Sequence, residues 1–166
     1  APVMLSCEEQ SWMTVEADMN RQHFEFEKSI RLNVTNETLA DRRVLVKWEV
    51  RKADATVLME EKQWVEVPAL SAVWLDKVEL PQIDCFNEYV SYEAWENDQI
   101  ISQGTVIFSY PKYFHYLNPG LAVRVDGDEI VVKAEAYAKS VEIRNENDDL
   151  ILEDNYFDMN AGEYRV

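Results

Sequence analysis

Apolar and polar residues alternate with a period of two along most of this chain, the pattern of strands that bury one face. Arg43-Val44-Leu45-Val46-Lys47-Trp48-Glu49-Val50 places Val44, Val46, Trp48 and Val50 on one side. His23-Phe24-Glu25-Phe26-Glu27 and Ser29-Ile30-Arg31-Leu32-Asn33-Val34 alternate in the same way, and further runs occupy 64–67, 73–80, 89–95 and 100–108. Thr35-Asn36, Ala53-Asp54, Pro68, Pro81 and Asn97-Asp98 punctuate them as turns. No segment holds a helical period over a window of about 11 residues. About seven short strands before Pro111 predict an immunoglobulin-like antiparallel sandwich. Trp48 sits where such sandwiches bury a core tryptophan. Tyr89 is placed like the tyrosine whose hydroxyl bonds back to the preceding corner.

Pro111 cannot donate to a strand ladder and marks a break. Beyond Asn118-Pro119-Gly120 a second β system begins, with 121–125 and 129–134 flanking the hairpin signal Asp126-Gly127. Strands are expected again at 140–144 and 150–152, joined by the polar turn 145–149, and a last one starts at Tyr164-Arg165-Val166. The predicted organisation is therefore all-β, two tandem immunoglobulin-like sandwiches at 1–111 and 112–166, the second small and cut off in its last strand. A unit of 55 residues is near the lower limit for an independent core, so it is expected to pack against the first unit or other domains. The opening Ala1-Pro2-Val3-Met4, with its first Met at position 4, reads as the start of a segment excised from a longer chain.

A net charge of −16 repels phosphate backbones and anionic membranes alike, which argues against nucleic-acid and membrane partners. The charge is evenly spread, with 10 basic and 20 acidic residues in 1–111 and 6 and 12 in 112–166. That is a solvated surface rather than an acidic tail. Cys7 and Cys85 read as two free buried thiols, and the two histidines, His23 and His115, lie too far apart in sequence to suggest a zinc site. Neither a cofactor nor a metal is implied.

Three Asn-Glu dipeptides occur, at Asn36-Glu37, Asn87-Glu88 and Asn145-Glu146. A glutamate in such a dipeptide can serve a retaining glycosidase only at the end of a barrel strand, facing a second carboxylate about 5 Å away. Here each falls in a turn or at a strand edge, so no catalytic residue is assigned. The acidic turns 126–129 and 145–149 read as solvated: in the second, Leu150 stands where a calcium loop of the EF-hand type needs glycine. Asn33-Val34-Thr35 and Asn36-Glu37-Thr38 are formal glycosylation sequons read as chance matches at a strand end. Five tryptophans (Trp12, Trp48, Trp64, Trp74, Trp95) and eight tyrosines leave a sugar-stacking surface open as the alternative to core and interface packing.

The most informative stretch is Glu153-Asp154-Asn155-Tyr156-Phe157-Asp158-Met159-Asn160-Ala161-Gly162-Glu163. It reads as two turns, with Gly162 at a position needing positive φ and with Tyr156 and Phe157 tucked under the end of a sandwich. The string also resembles the closing signature of β-mannosidase-like enzymes of glycoside hydrolase family 2, in the residues Asp154, Asn155, Tyr156, Phe157, Asp158 and Gly162. It departs from that signature at Asn160-Ala161, where leucine–proline is usual. In chain order, Ala1–Cys7 resembles the segment leaving the family's catalytic barrel, and Arg31–Thr38 a strand and turn of its first post-barrel sandwich. Val106-Ile107-Phe108 with Pro111-Lys112 resembles the junction of its two tail domains, and Ala136–Val141 its alanine–lysine–x–valine strand. The resemblance implies a non-catalytic tail of a retaining exo-β-glycosidase. Its implied partner is the catalytic barrel of the same parent chain. The alternative is an independent module that binds oligosaccharide or a cell-surface partner.

Overall fold

The computed structural model describes residues 2–8, 12–13, 25–147 and 150–166, the side chains of Trp12, Met13 and Glu25 excepted. His23-Phe24 of the first expected strand, the Trp12 ring and Asp148-Asp149 of the acidic turn lie outside the described residues. The strands in chain order are β1 (Val3–Cys7), β2 (Trp12–Met13), β3 (Glu25–Phe26), β4 (Ser29–Ile30), β5 (Leu32–Asn36), β6 (Arg42–Lys52), β7 (Val57–Val67), β8 (Ser71–Trp74), β9 (Val78–Glu79), β10 (Glu88–Glu96) and β11 (Gln99–Val106). A single 3₁₀ turn at Pro111–Tyr113 follows. Then come β12 (Ala122–Asp126), β13 (Glu129–Ala134), β14 (Ala138–Val141), β15 (Phe157–Met159) and β16 (Gly162–Arg165).

In the first unit a three-stranded sheet, β1-β5-β8, faces a four-stranded sheet, β11-β10-β6-β7, all antiparallel. The predicted face of β6 fills the space between them. Val44, Val46, Trp48 and Val50 are all buried, against Leu5, Leu32 and Val34 of one sheet and Val90 and Ala94 of the other. Each such side chain removed from water stabilises the fold by roughly 1.5–3 kcal/mol before entropy is charged against it. Asn36 closes the turn after β5. Its buried side-chain amide donates to the carbonyls of Ala40, Val67 and Pro68 at 2.9, 3.1 and 3.1 Å. A residue spent in this way is a structural tie.

The second unit is an antiparallel sheet, β12-β13-β16, over the pair β14-β15. Its small core gathers Val132, Ala134, Val141, Phe157 and Met159. The hairpin expected at Asp126-Gly127 forms one residue later: Asp126 pairs with Glu129, and the two-residue loop is Gly127-Asp128, with Gly127 at φ +68°. Asp126 and Glu129 meet Arg165 at 3.2 and 2.6 Å, so two of that turn's three acids share a cation from the neighbouring strand.

Several boundaries differ from the pattern-based expectation. β7 runs from Val57, well before the expected start at Trp64, because it is an edge strand whose first eight side chains are all exposed and therefore do not alternate. The expected run 73–80 is divided between β8 and β9, which belong to different sheets. Leu150-Ile151-Leu152 is not a strand. Instead Phe157–Met159, expected to be part of a turn, pairs with β14. Short apolar runs do not distinguish a strand from an exposed connection, and here the pairing partner decided. Cys7 and Cys85 are free as expected, though half-buried rather than buried.

Candidate functional site

The two units meet on the outer face of the four-stranded sheet. β10 alternates, so Val90 and Ala94 point into the core while Tyr89 and Ser91 point away from it. Tyr89 is nevertheless fully buried, because the second unit covers it. Its ring lies face to face with that of Tyr137, centroids 3.8 Å apart, and Phe114 from the connecting segment meets both edge-on. Ala53 and Ile107 complete this apolar joint, and the Tyr137 amide donates to the Ala53 carbonyl at 3.0 Å. The Tyr89 hydroxyl does not bond to its own preceding corner. It donates to Asn160 Oδ1 at 2.6 Å, 71 residues onward. Asn160 is one of the two residues at which the closing signature departs from leucine–proline, and here it anchors the joint.

Asp158 carries the polar half of the contact. Its carboxylate accepts from Thr105 Oγ1 of β11 at 2.5 Å, from Lys139 Nζ at 2.8 Å and from the Ser140 amide at 2.8 Å. Thr105 Oγ1 also lies 2.7 Å from the Tyr137 hydroxyl. An ionised carboxylate can only accept, so Thr105 spends its proton on Asp158 and Tyr137 donates to Thr105. Burial raises the Tyr137 hydroxyl well above its ordinary pKa, which keeps it a donor across the physiological range. Lys139 of the Ala-Lys-Ser-Val strand and Asp158 of the closing signature thus form one ion pair at the seam between units.

The other signature residues hold the second unit together. Asn155 copies a backbone pair, its Oδ1 accepting from the Ile143 amide at 2.9 Å and its Nδ2 donating to the Ile143 carbonyl at 3.2 Å. Phe157 is buried and stacks on Tyr164 at 4.0 Å, and the Tyr164 hydroxyl donates to Asp154 at 2.7 Å. Gly162 has φ +129° with nothing within 4 Å of a built Cβ, so its backbone conformation and not space calls for glycine. Tyr156 departs from expectation. It is 62% exposed, and its hydroxyl bonds Glu142 at the surface. With Tyr156 at φ +65°, the two adjacent rings are sent in different directions.

Glu88 bonds the Asp84 amide within a turn at 3.0 Å, and Asn87 bonds Asp84 at 2.7 Å and His115 at 2.9 Å. Among the described residues no group of His, Cys, Asp or Glu could hold a metal ion, and no helix is long and apolar enough to cross a membrane. Trp64 and Trp74 are exposed but turn outward from opposite sheets, since their neighbours Val65 and Val73 both pack on the one core. Each carries a guanidinium over its ring, Arg43 at 4.6 Å and Arg31 at 4.7 Å. They do not make a common stacking platform. Sequence reasoning missed Glu49, which is buried on the outer face of β6 and neutralised by Arg51 and by Lys47, the latter at 2.6 Å. The alternation Lys47-Glu49-Arg51 was visible, but it reads equally well as a solvated face.

Two antiparallel β-sandwich units, the second seated on the outer sheet of the first, define a class of tandem immunoglobulin-like domains. The Mannosidase Ig/CBM-like domain model matches residues 28–113, and a second model, an Ig-fold domain of mannosidases, matches 116–166. This chain belongs to the Mannosidase Ig/CBM-like domain family. Among solved structures it is similar to the β-D-mannosidase of Dictyoglomus thermophilum, with TM-score 0.71 and 15% identity over 99% of this chain and 19% of that one. A β-glucuronidase of Bacteroides uniformis matches with TM-score 0.39 and 15% identity over 87% of this chain and 16% of that one. At such identity the first likeness speaks for the fold. The chain spans about a fifth of the length of these structures. A search of curated proteins gave no match.

Proposed function

We propose that this chain is the non-catalytic C-terminal accessory region of a β-mannosidase-like glycoside hydrolase family 2 enzyme, packing against its catalytic barrel and supporting it. The parent on this reading is a retaining exo-β-glycosidase with both catalytic glutamates on the barrel. The units divide near Pro111, into 1–111 and 112–166, and the signature residues Asp154 to Asp158 and Gly162 act structurally, as the seam and core of the second unit. The observation that carries the reading is the tandem of two family matches, 28–113 and 116–166, on a chain whose seam is built from that same signature. Exposed apolar residues add support. Val57, Leu58 and Met59 on edge strand β7, and Leu121 just before β12 with Val123 and Val125 on it, remain uncovered, which suits surfaces that meet other domains.

Alone, the chain is expected to release no nitrophenol from aryl β-mannosides or β-galactosides. Deleting it from an enzyme that carries it is expected to lower the temperature at which the barrel loses activity, with the pH profile unchanged. Hydrolysis by the chain alone, or a barrel indifferent to its loss, overturns the reading.

A further inference from the structure

The four-stranded sheet of the first unit ends in two edges of opposite character. On one side β11 is closed: β1 and β15 lie against it, and its Ser102 hydroxyl accepts from the Leu5 amide at 3.0 Å. On the other side β7, eleven residues long, pairs only with β6 in the sheet. Its first eight side chains, from Val57 to Trp64, are all exposed, and four of them, Val57, Leu58, Met59 and Trp64, are large and apolar. An edge strand offers a row of backbone donors and acceptors that no neighbour has taken, a template for one more strand.

Charge decides what that strand is. The whole chain carries −16, so most of its surface repels a second copy. The β6–β7 hairpin is the exception. Residues 42–67 hold six basic and five acidic side chains, a net of +1, whereas the other 140 residues hold 10 basic and 27 acidic. A second copy therefore meets the least repulsion along this hairpin.

The charges of β7 also match their own reverse. Two antiparallel copies of a strand related by a two-fold axis set side chains opposite one another in pairs centred on the axis. With the axis at Glu61, Glu60 faces Lys62 of the second copy on both sides of the centre, and Leu58 faces Trp64. An axis at Glu60 or at Lys62 puts like charges at the centre and makes no opposite-charge pair within β7. In the favoured register Glu61 alone meets its own kind, at an exposed position where water screens it. Lys62 is free to turn outward, because Glu60 has Lys47 at 3.3 Å as well as Lys62 at 3.3 Å. We propose that β7 is a self-association edge, at which two copies of this chain pair antiparallel about Glu61 and join their four-stranded sheets into one of eight. This goes beyond the accessory role and does not rest on it. It assigns β7 to a second copy and leaves the uncovered β12 to other domains.

The test is the mass of the full chain in solution, by light scattering from about 1 μM to 1 mM, the span of weak association through a small interface. The mass is expected to rise from 19.4 kDa toward twice that value as concentration increases. Hydrogen exchange should slow at the amides of 57–64 over the same range. Lys62→Glu and Glu60→Lys, both at exposed positions, each place like charges across the axis and are expected to weaken association about tenfold or more. An equimolar mixture of the two variants restores opposite charges at every such contact and should associate at least as well as the unchanged chain. A folding defect in either variant would not be repaired by mixing. A mass of 19.4 kDa throughout the range overturns the proposal. So does association that survives Lys62→Glu, that mixing fails to restore, or that slows exchange at 121–126 instead of 57–64.

Discussion

Tyr89 and Tyr137 stack with centroids 3.8 Å apart and planes 11° from parallel, one ring from each unit. The outer face of a sandwich sheet is ordinarily wet, and here a tyrosine on it is dry because the second unit has become part of the first unit's packing.

The stack is expected to couple the two units into one cooperative body. Truncating a buried aromatic to alanine costs about 3–5 kcal/mol. Tyr137→Ala is expected to lose that much and to split a single thermal transition into two in calorimetry. Tyr137→Phe keeps the ring and gives up the bond to Thr105, so a loss of about 1 kcal/mol is expected. A single unchanged transition in Tyr137→Ala would show that the stack does not couple the units.

Phe157 and Tyr156 are neighbours in sequence and opposites in consequence. Phe157→Ala removes a buried ring that stacks on Tyr164 and is expected to cost about 3–5 kcal/mol, most of the stability a 55-residue unit can hold. Tyr156→Ala removes a mostly exposed ring and should cost under about 1 kcal/mol. Denaturant midpoints of the two variants, compared at equal slope, decide the matter.

Asn36→Ala strips the buried Val67 carbonyl, and those of exposed Ala40 and Pro68, of one shared donor. A loss of about 2–4 kcal/mol is expected, the upper range for a broken buried network. Expression in a glycosylating host should leave Asn36 unmodified in the folded protein, checked by mass of the intact chain.

Alkaline pH should loosen the fold in a defined window. Burial pushes the Tyr92 hydroxyl up to about 12; burial, with the Asp154 carboxylate beside it, does the same for Tyr164, and burial holds Tyr89 and Tyr137 higher still, against an ordinary value of 10.0. Above pH 10 the unfolded chain sheds protons that the fold retains, so stability falls as pH rises. The contribution is fully present below pH 10 and is lost as pH rises through the folded values. Tyrosinate absorbance should show part of the eight tyrosines titrating late, together with unfolding. A single normal titration with the fold intact would contradict this.

Much of the fold was legible because alternation reports burial on one side of a sheet. β6 is the clearest case, its four alternate apolar residues all landing in one core. β7 was half missed for the same reason, since an edge strand with exposed side chains has no alternation to display. Phe157–Met159 was read as a turn because three residues carry no period, and only their partner Ala138–Val141 makes them a strand. The closing signature was picked out in the sequence, but its work was not. Asp158 looks like one acid among 32 until Thr105, Lys139 and Ser140 converge on it.

The sequence by itself determined an all-β chain of tandem sandwiches, because strand period and turn residues are local properties. It also pointed to a hairpin beside Gly127 and to a positive φ at Gly162, and both glycines have positive φ in the fold. The tertiary structure alone decided which outward face would be dry. That outcome depends on Tyr89, Thr105, Tyr137, Asp158 and Asn160 arriving together from positions up to 71 residues apart. No window along the chain contains such a meeting. The docking of one unit on another creates the burial that then makes each of those residues matter.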